Sequence, residues 1–333
     1  MSTLVSQRLS FRERGVVFEE AKRVITAHSR HFFALCHLFL FPLCFSIIIY
    51  PSLFTAFSQL DGFHPLQWLL SFTADPTHLR ARPILFALLF DLFALCLAAC
   101  ALGTIIYSTF NGHHGRPVTL SSSVKSLLGS FLPILSTLIV SQIIVCLVGI
   151  GLGVLVALLL TGLRIVGVEV NYYDNYSCNW GLVIFYVVLL VPIIVWLQIN
   201  WSLACVIVVA ESKWGYEPLR RSGQLVKGTR GVAASILVLY GQVFLLMVLC
   251  TSLLGKIGAN RGVLFWMGTI IVVYGSSSVT ELILYSLAAN VVLYIYCKAL
   301  HEKGALLEIA EVEGKDASLA FGGGKVSQVV NHG

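Results

Sequence analysis

Six long apolar stretches, separated by short polar segments, constrain this chain more than any other feature. A membrane-spanning helix needs about 20 predominantly apolar residues. The stretches that meet this requirement are 32–56, 83–108, 131–162, 181–210, 232–254 and 279–299. Only 11% of the residues are charged, against roughly 25% in soluble proteins, which is too little charge to cover a surface exposed to water. The sequence therefore predicts an all-α fold, a polytopic membrane helical bundle of about six transmembrane helices.

The polar composition on either side of this apolar region predicts how the chain is divided. Residues 1–31 are expected to be a cytosolic amphipathic segment, residues 32–300 the six-span bundle, and residues 301–333 a cytosolic tail that is partly disordered. The N-terminal segment lacks the short apolar core of a cleavable signal peptide, so the first span is expected to act as an uncleaved anchor.

Residues 262–277 are apolar but short for a span. The sequence Gly275-Ser276-Ser277-Ser278 favours a break between this segment and the last span. We interpret the segment as re-entrant or interfacial, with a seventh span as the alternative.

The distribution of Lys and Arg between the spans predicts the orientation, because cytosolic loops are enriched in both. With a cytosolic N-terminus, the cytosolic segments hold Arg8, Arg12, Arg14, Lys22, Arg23, Arg30, Arg116, Lys125, Lys213, Arg220, Arg221, Lys227, Arg230, Lys298 and Lys303. The opposite side holds only Arg80, Arg82, Arg164, Lys256 and Arg261. Both termini are therefore expected in the cytosol. The glycosylation sequon at Asn175 then lies outside, where glycosylation occurs.

A short stretch with apolar residues at helical spacing precedes each pair of spans. The three stretches are 10–28, 119–130 (apolar side Val124, Leu127 and Leu128) and 216–228 (apolar side Leu219, Ser222, Leu225 and Val226). Such helices can lie in the headgroup plane, with their basic residues near anionic lipid, or they can plug the cytosolic end of the bundle. The sequence leaves both interpretations open. The expected lipid-headgroup contacts are Arg12, Arg14, Lys22, Arg23, Arg220, Arg221 and Lys227.

Few polar side chains interrupt the apolar stretches. They include Asp91, Gln142, Asn200, Gln242 and Asn290. Amide side chains of this kind join helices by hydrogen bonds. A carboxylate inside the bilayer costs roughly 2.5–3.5 kcal/mol on insertion scales. Asp91 is therefore predicted either to hold two helices together or to bind an ion or solute.

No motif for catalysis or cofactor binding occurs in the sequence. There is no H-E-x-x-H, G-x-S-x-G or P-loop, and the nine cysteines contain no C-x-x-C pair. The adjacent His113 and His114 are interpreted as solvated turn residues. We therefore expect no enzymatic activity, no cofactor and no metal, and the net charge of +6 gives no indication of nucleic acid.

The connector between the fourth and fifth spans, ESKWGYEPLRRSGQLVKGTR at 211–230, carries a family resemblance. It resembles the connector of families related to the membrane domain of bacterial glycerophosphodiester phosphodiesterases. The matching positions are Glu211, Gly215, Arg221, Ser222, Leu225, Lys227 and Gly228. The whole chain is more similar to an uncharacterised plant family of six-span proteins with the same GYEPLRRS-x-x-LVKG-x-RG run. The resemblance implies a helical bundle with an amphipathic connector and implies no activity, because the bacterial phosphodiesterase is a separate soluble domain.

Two functions are predicted. The first is a membrane organiser or trafficking component of the endomembrane system or plasma membrane, with membrane lipids as partners of the basic helices and a protein partner at the cytosolic tail. The alternative is a small-solute transporter or channel that uses Asp91. Convergence of the intramembrane polar residues on one cavity favours the alternative, and their scattering favours a structural bundle.

Overall fold

The chain folds into a bundle of long helices, and the described residues contain no strand. The structure is a computed structural model and describes residues 2–60, 81–116, 119–165, 176–258 and 263–322. The helices are α1 (Ser2–Ala27), α2 (Ser29–Leu35), α3 (Phe41–Leu60), α4 (Ala81–His113), α5 (Leu120–Ile165), α6 (Tyr176–Trp201), α7 (Ala204–Glu211), α8 (Tyr216–Leu225), α9 (Arg230–Gly258) and α10 (Val263–Gly322). A π-helical turn, Cys36–Leu40, joins α2 to α3. The all-α prediction is confirmed.

Within the described ranges, five helical segments are long and apolar enough to cross a membrane. They are Ser29–Phe54, Ile84–His113, Leu120–Leu159, Ile184–Glu211 and Gly268–His301. Tyr216–Gly228 and Arg230–Leu246 meet the same criterion together, but the chain bends by 107° between them. Five to six spans agree with the prediction, so the protein is an integral, multi-pass membrane protein.

Helix α5 shows how the bundle meets lipid. Its exposed apolar side chains run from Leu120, which is 41% exposed, to Leu159, which is 54% exposed. At 1.5 Å per residue this band is about 58 Å long, which exceeds a hydrocarbon core of about 30 Å. Helix α5 must therefore tilt or extend beyond the hydrocarbon.

Most of the buried core lies at one end of the bundle, where α1 and α8 cover the ends of the spans. We call this the connector end. One cluster of buried residues joins the helices there, and it includes Val17, Ala21, Val24, Ile25, Ile105, Ile106, Ile207, Leu225, Val226, Tyr294 and Cys297. The spans are therefore fixed to one another mainly at this end.

The predicted amphipathic stretch 119–130 is not a separate helix but the beginning of the 46-residue α5. Its serines do not interrupt the helix, because Ser126 Oγ and Ser130 Oγ donate to carbonyls three and four residues earlier, at 3.2 and 3.0 Å. The predicted apolar side faces outward at Val124 and Leu128. Ser123 is fully buried, whereas Leu128 faces outward.

The predicted break at Gly275-Ser276-Ser277-Ser278 is wrong as well, since α10 runs through it without interruption. Ser276 Oγ donates to the Val272 carbonyl at 2.7 Å, and Ser278 Oγ donates to the Tyr274 carbonyl at 3.1 Å. The described part of 262–277 is thus neither re-entrant nor a seventh span. Helix α10 continues to Gly322, into the region assigned to the tail.

Candidate functional site

The connector leaves α7 through a tight turn with two positive φ angles. Ser212 follows α7 with φ 54°, and Gly215 precedes α8 with φ 73°. Helices often end on a left-handed residue, whereas the conformation at Gly215 is one that glycine adopts readily because it lacks a Cβ. Lys213 Nζ donates to Glu217 Oε1 at 2.6 Å across the turn.

Helix α8 separates a buried side from a basic side. Leu219, Ser222 and Leu225 are at most 4% exposed, while Arg220 and Arg221 beside them are exposed. This arrangement follows from 3.6 residues per turn, since positions three apart share a face. The buried side is the one predicted from the sequence. It packs into the bundle, so α8 covers the ends of the spans.

Helix α8 runs across the direction of the span that follows it. The bend of 107° between Tyr216–Gly228 and the span that follows makes α8 nearly perpendicular to that span. Trp214 and Tyr216, at the start of the helix, are 67% and 61% exposed. Trp and Tyr are enriched at the membrane–water interface, so both residues are of the type that is found at headgroup depth.

A side-chain hydroxyl of α8 forms hydrogen bonds with the backbone groups that are left unpaired at the break between α6 and α7. Ser222 Oγ donates to the Asn200 carbonyl at 2.6 Å and accepts the Leu203 N–H at 3.2 Å. Non-helical backbone in a span is tolerated where protein surrounds it and supplies its hydrogen bonds. We call this contact between Asn200, Leu203 and Ser222 the Ser222 junction.

Asn200, predicted as an intramembrane polar residue, belongs to this junction and is 7% exposed. Its Nδ2 donates to the Trp196 carbonyl at 2.7 Å, and its Oδ1 accepts a hydrogen bond from Arg230 Nη2 at 3.3 Å. The side chain therefore links α6 to the beginning of α9.

Glu211 ties α8 to the last helix. Tyr294 OH donates to Glu211 Oε1 at 3.0 Å, and Arg221 Nε lies 3.9 Å from Glu211 Oε2. The Arg221 side chain is still 45% exposed. This long ion pair therefore leaves much of the guanidinium facing outward.

Helix α1 covers the same end of the bundle. Its Lys22 and Arg23 side chains are exposed. Arg23 pairs with Glu20 at 2.7 Å, and Glu20 also lies 3.3 Å from His113 Nδ1 of α4. The inward residues of α1 are Val17, Ala21, Val24 and Ile25. Arg12 and Arg14 lie in α1, but their side chains fall outside the described part, as does the predicted glycosylation residue Asn175.

The outward side chains at the connector end are predominantly basic. We define the basic face as the exposed residues Lys22, Arg23, Arg30, Arg116, Lys125, Arg220, Arg221, Lys227 and Lys298. Within the described residues, only Arg23 and Arg221 of this set have an acidic partner. Among nearby acids, Glu20, Glu211 and Glu217 are each engaged by a basic residue, while Glu19 is exposed.

Asp91 lies on the outward side of α4, in an open groove of about 390 Å³ between α4 and α5. Gln142 of α5 lines the same groove. Neither side chain forms a hydrogen bond or ion pair within the described part of the chain. This position differs from the prediction that Asp91 holds two helices together, because the carboxyl group faces the lipid side.

The other intramembrane polar residues lie apart from this groove. Asn200 is in the Ser222 junction, Gln242 is exposed on α9, and Asn290 of α10 has a buried Oδ1 without a partner in the described region. As far as the described residues extend, the five predicted residues do not converge on one cavity. This scattering favours a structural bundle over a solute pathway.

The sequence analysis missed a polar cluster that joins α2, α4 and α5. His31 Nε2 lies 3.0 Å from Ser108 Oγ, and Ser108 Oγ lies 2.9 Å from Ser123 Oγ. The sequence pattern that could have indicated this cluster is the recurrence of Ser or Thr four residues apart, as in Thr104–Ser108 and Thr119–Ser123. No group of three or more His, Cys, Asp or Glu that could hold a metal occurs in the described ranges.

Comparison with known proteins identifies a family and no activity. A family model described as a domain of unknown function (DUF8558) matches residues 6–308. No curated protein and no solved structure matches the chain. The similarity to a plant family and to the membrane domain of the bacterial phosphodiesterases therefore stays a prediction.

Proposed function

Because the chain belongs to the family of the domain of unknown function (DUF8558), which supplies no activity, we propose a function from the geometry of the connector end. The protein is a non-enzymatic membrane organiser or trafficking component of the endomembrane system or plasma membrane. Its basic face binds the headgroups of anionic lipids. A protein partner at the tail remains part of this proposal.

The orientation of α8 is the observation that supports this function most directly. The helix is nearly perpendicular to the span that follows it, its buried side packs into the bundle, and Arg220, Arg221 and Lys227 are exposed. Each Lys or Arg near an anionic membrane surface contributes roughly 1 kcal/mol of attraction. Since the Ser222 junction fixes the helix, these charges need little ordering when lipid binds.

Binding is electrostatic in this proposal and does not require insertion of α1 or α8. The apolar residues of both helices are already buried in the bundle, including Val24 at 4% and Leu219 at 3% exposure. Lipid binding should therefore weaken as salt screens the charges. The connector end would face the cytosol, where the membrane leaflet carries anionic lipids.

Neutralising Arg220, Arg221 and Lys227 together with glutamine should weaken the association of a short-chain fluorescent phosphatidylserine by about 10- to 100-fold. Three charges at roughly 1 kcal/mol each give the upper value of this loss. The lower value applies because Arg221 is already in contact with Glu211 and contributes less to lipid binding. The measurement is a titration of the detergent-solubilised protein at low salt, with the matching phosphatidylcholine as a second probe.

Arg220→Gln alone should also weaken phosphatidylserine binding, and Lys213→Gln is its matched control. Both residues lie in the connector, but Lys213 is already paired with Glu217 at 2.6 Å, so its loss should change phosphatidylserine binding less. Equal binding by the triple variant and the native protein would contradict the proposal. So would an equal loss for phosphatidylcholine, because that lipid carries no net charge.

A further inference from the structure

The groove between α4 and α5 has the geometry of a binding site for another helix. Its α4 wall presents Leu88, Asp91 and Leu95, and its α5 wall presents Ile139, Gln142 and Cys146. These positions recur at intervals of three and four residues, the spacing with which helices interlock side chains. Each wall is about 10 Å long, which corresponds to two turns of a packed helix.

The groove lies well inside the apolar part of the bundle. Gln142 is about 33 Å along α5 from Leu120 and about 26 Å from Leu159, and these two residues bound the exposed apolar band. The occupant must therefore be stable in hydrocarbon. A transmembrane helix meets this requirement.

The carboxyl group of Asp91 identifies the chemistry of that helix. Asp91 and Gln142 face the same groove without a hydrogen bond or ion pair among the described residues, although polar groups in a membrane normally pair with one another or with backbone carbonyls. We propose that the groove binds a transmembrane helix of another protein, with a Lys or Arg near the centre of that helix facing Asp91. The amide of Gln142 would then accept a second hydrogen bond from the same cation.

A second copy of this chain fits the groove less well. The six apolar stretches of the sequence contain no Lys or Arg except Lys298, which lies at the connector end. No span of a second copy could therefore bring a cation to the depth of Asp91. Charge complementarity favours a different protein, independently of the lipid contacts proposed above.

The test uses synthetic transmembrane peptides made of leucine and alanine, about 23 residues long, with Lys, Gln or Leu at the centre. Energy transfer between the labelled full-length protein and each labelled peptide is measured in phosphatidylcholine vesicles. The Lys peptide should associate about 3- to 20-fold more strongly than the Leu peptide, the range expected for a hydrogen-bonded pair in a membrane. Asp91→Asn should remove most of this difference, and Asp91→Glu should retain part of it.

Glu281→Gln is the matched control. Glu281 is also an exposed carboxylate in a span, but it lies on α10 outside the groove, so its removal should leave peptide binding unchanged. The exposed thiol of Cys146 supplies a readout that needs no change at Asp91. A cysteine placed in the peptide one turn from its lysine should form a cross-link with Cys146. Cys146→Ala should abolish this cross-linked product.

Three results would overturn the proposal. The first is equal association of the Lys and Leu peptides with the native protein. The second is undiminished binding of the Lys peptide to Asp91→Asn. The third is energy transfer only between two labelled copies of the protein, lost in Asp91→Asn, which would assign the groove to a second copy.

Discussion

Replacing Ser222 by alanine is expected to lower the free energy of unfolding by about 2–5 kcal/mol. The hydroxyl group satisfies two backbone groups at the break between α6 and α7, since it donates to the Asn200 carbonyl and accepts the Leu203 N–H. Ser222 is fully buried, so water cannot easily replace these bonds. Each buried polar group left without a partner costs about 1–3 kcal/mol.

The measurement for Ser222 is unfolding in mixed micelles of dodecyl sulfate and a mild detergent. Ser278→Ala is the matched control, because Ser278 is exposed and bonds only to a carbonyl of its own helix. That substitution should change stability by less than about 0.5 kcal/mol. Similar stability losses in the two variants would show that the Ser222 junction contributes nothing specific.

The Ser222→Ala variant also separates two contributions to lipid binding, the position of α8 and the charge of α8. Ser222→Ala keeps Arg220, Arg221 and Lys227 but loosens the helix that carries them. Phosphatidylserine binding should therefore fall less than in the triple glutamine variant. The junction thus connects local hydrogen bonding to the proposed lipid contacts.

The spans could be predicted from the sequence because the bilayer imposes a strong physical requirement. A segment in hydrocarbon must satisfy all its backbone groups internally and present apolar side chains over about 20 residues. Predicted stretches such as 83–108 and 181–210 lie within helices that meet this requirement. The buried side of α8 was predictable too, because Leu219, Ser222 and Leu225 recur at helical spacing.

What covers that buried side could not be read from the spacing. An apolar side at Leu219 and Leu225 has the same pattern whether it faces lipid or protein. The structure shows protein, through contacts with residues that are distant in sequence, such as Leu203. Only the tertiary arrangement reveals that Ser222 completes a broken span.

The serine-rich segments were misread for a specific physical reason. In water, serine hydroxyls compete for backbone groups and favour turns. In the bundle, Ser126, Ser276 and Ser278 instead donate to carbonyls of their own helix. The helices therefore continue through both segments, and the predicted boundaries after residue 130 and at 275–278 do not exist.

The side of the bundle that Asp91 faces was likewise hidden in the sequence. Helix α4 is apolar around most of its circumference, so the pattern does not indicate which side packs and which side meets lipid. The small residues of α4 determine which of its sides packs against α5. Gly103 and Ala99 are buried at the contact with α5, whereas Leu88 and Leu89 are exposed.

Replacing Gly103 by leucine is expected to destabilise the protein by about 3 kcal/mol or more, near the upper end for overpacked cores. A Cβ at this position would lie 3.1 Å from Leu127 Cδ1, 3.2 Å from Ser130 Oγ and 3.3 Å from Ile134 Cδ1. The further atoms of leucine have no space, so α4 and α5 must separate. Unfolding in mixed micelles measures the loss.

Gly129→Leu is the matched control for Gly103→Leu, because a Cβ at Gly129 meets nothing within 4 Å. It should leave stability unchanged or raise it slightly, since leucine favours a helix more than glycine does. The Gly103 variant should also bind the Lys peptide less well, because the contact between α4 and α5 aligns the walls that hold Asp91 and Gln142. If Gly103→Leu and Gly129→Leu were equally stable, the close approach of α4 and α5 would be wrong, and the groove between them would lose its structural basis.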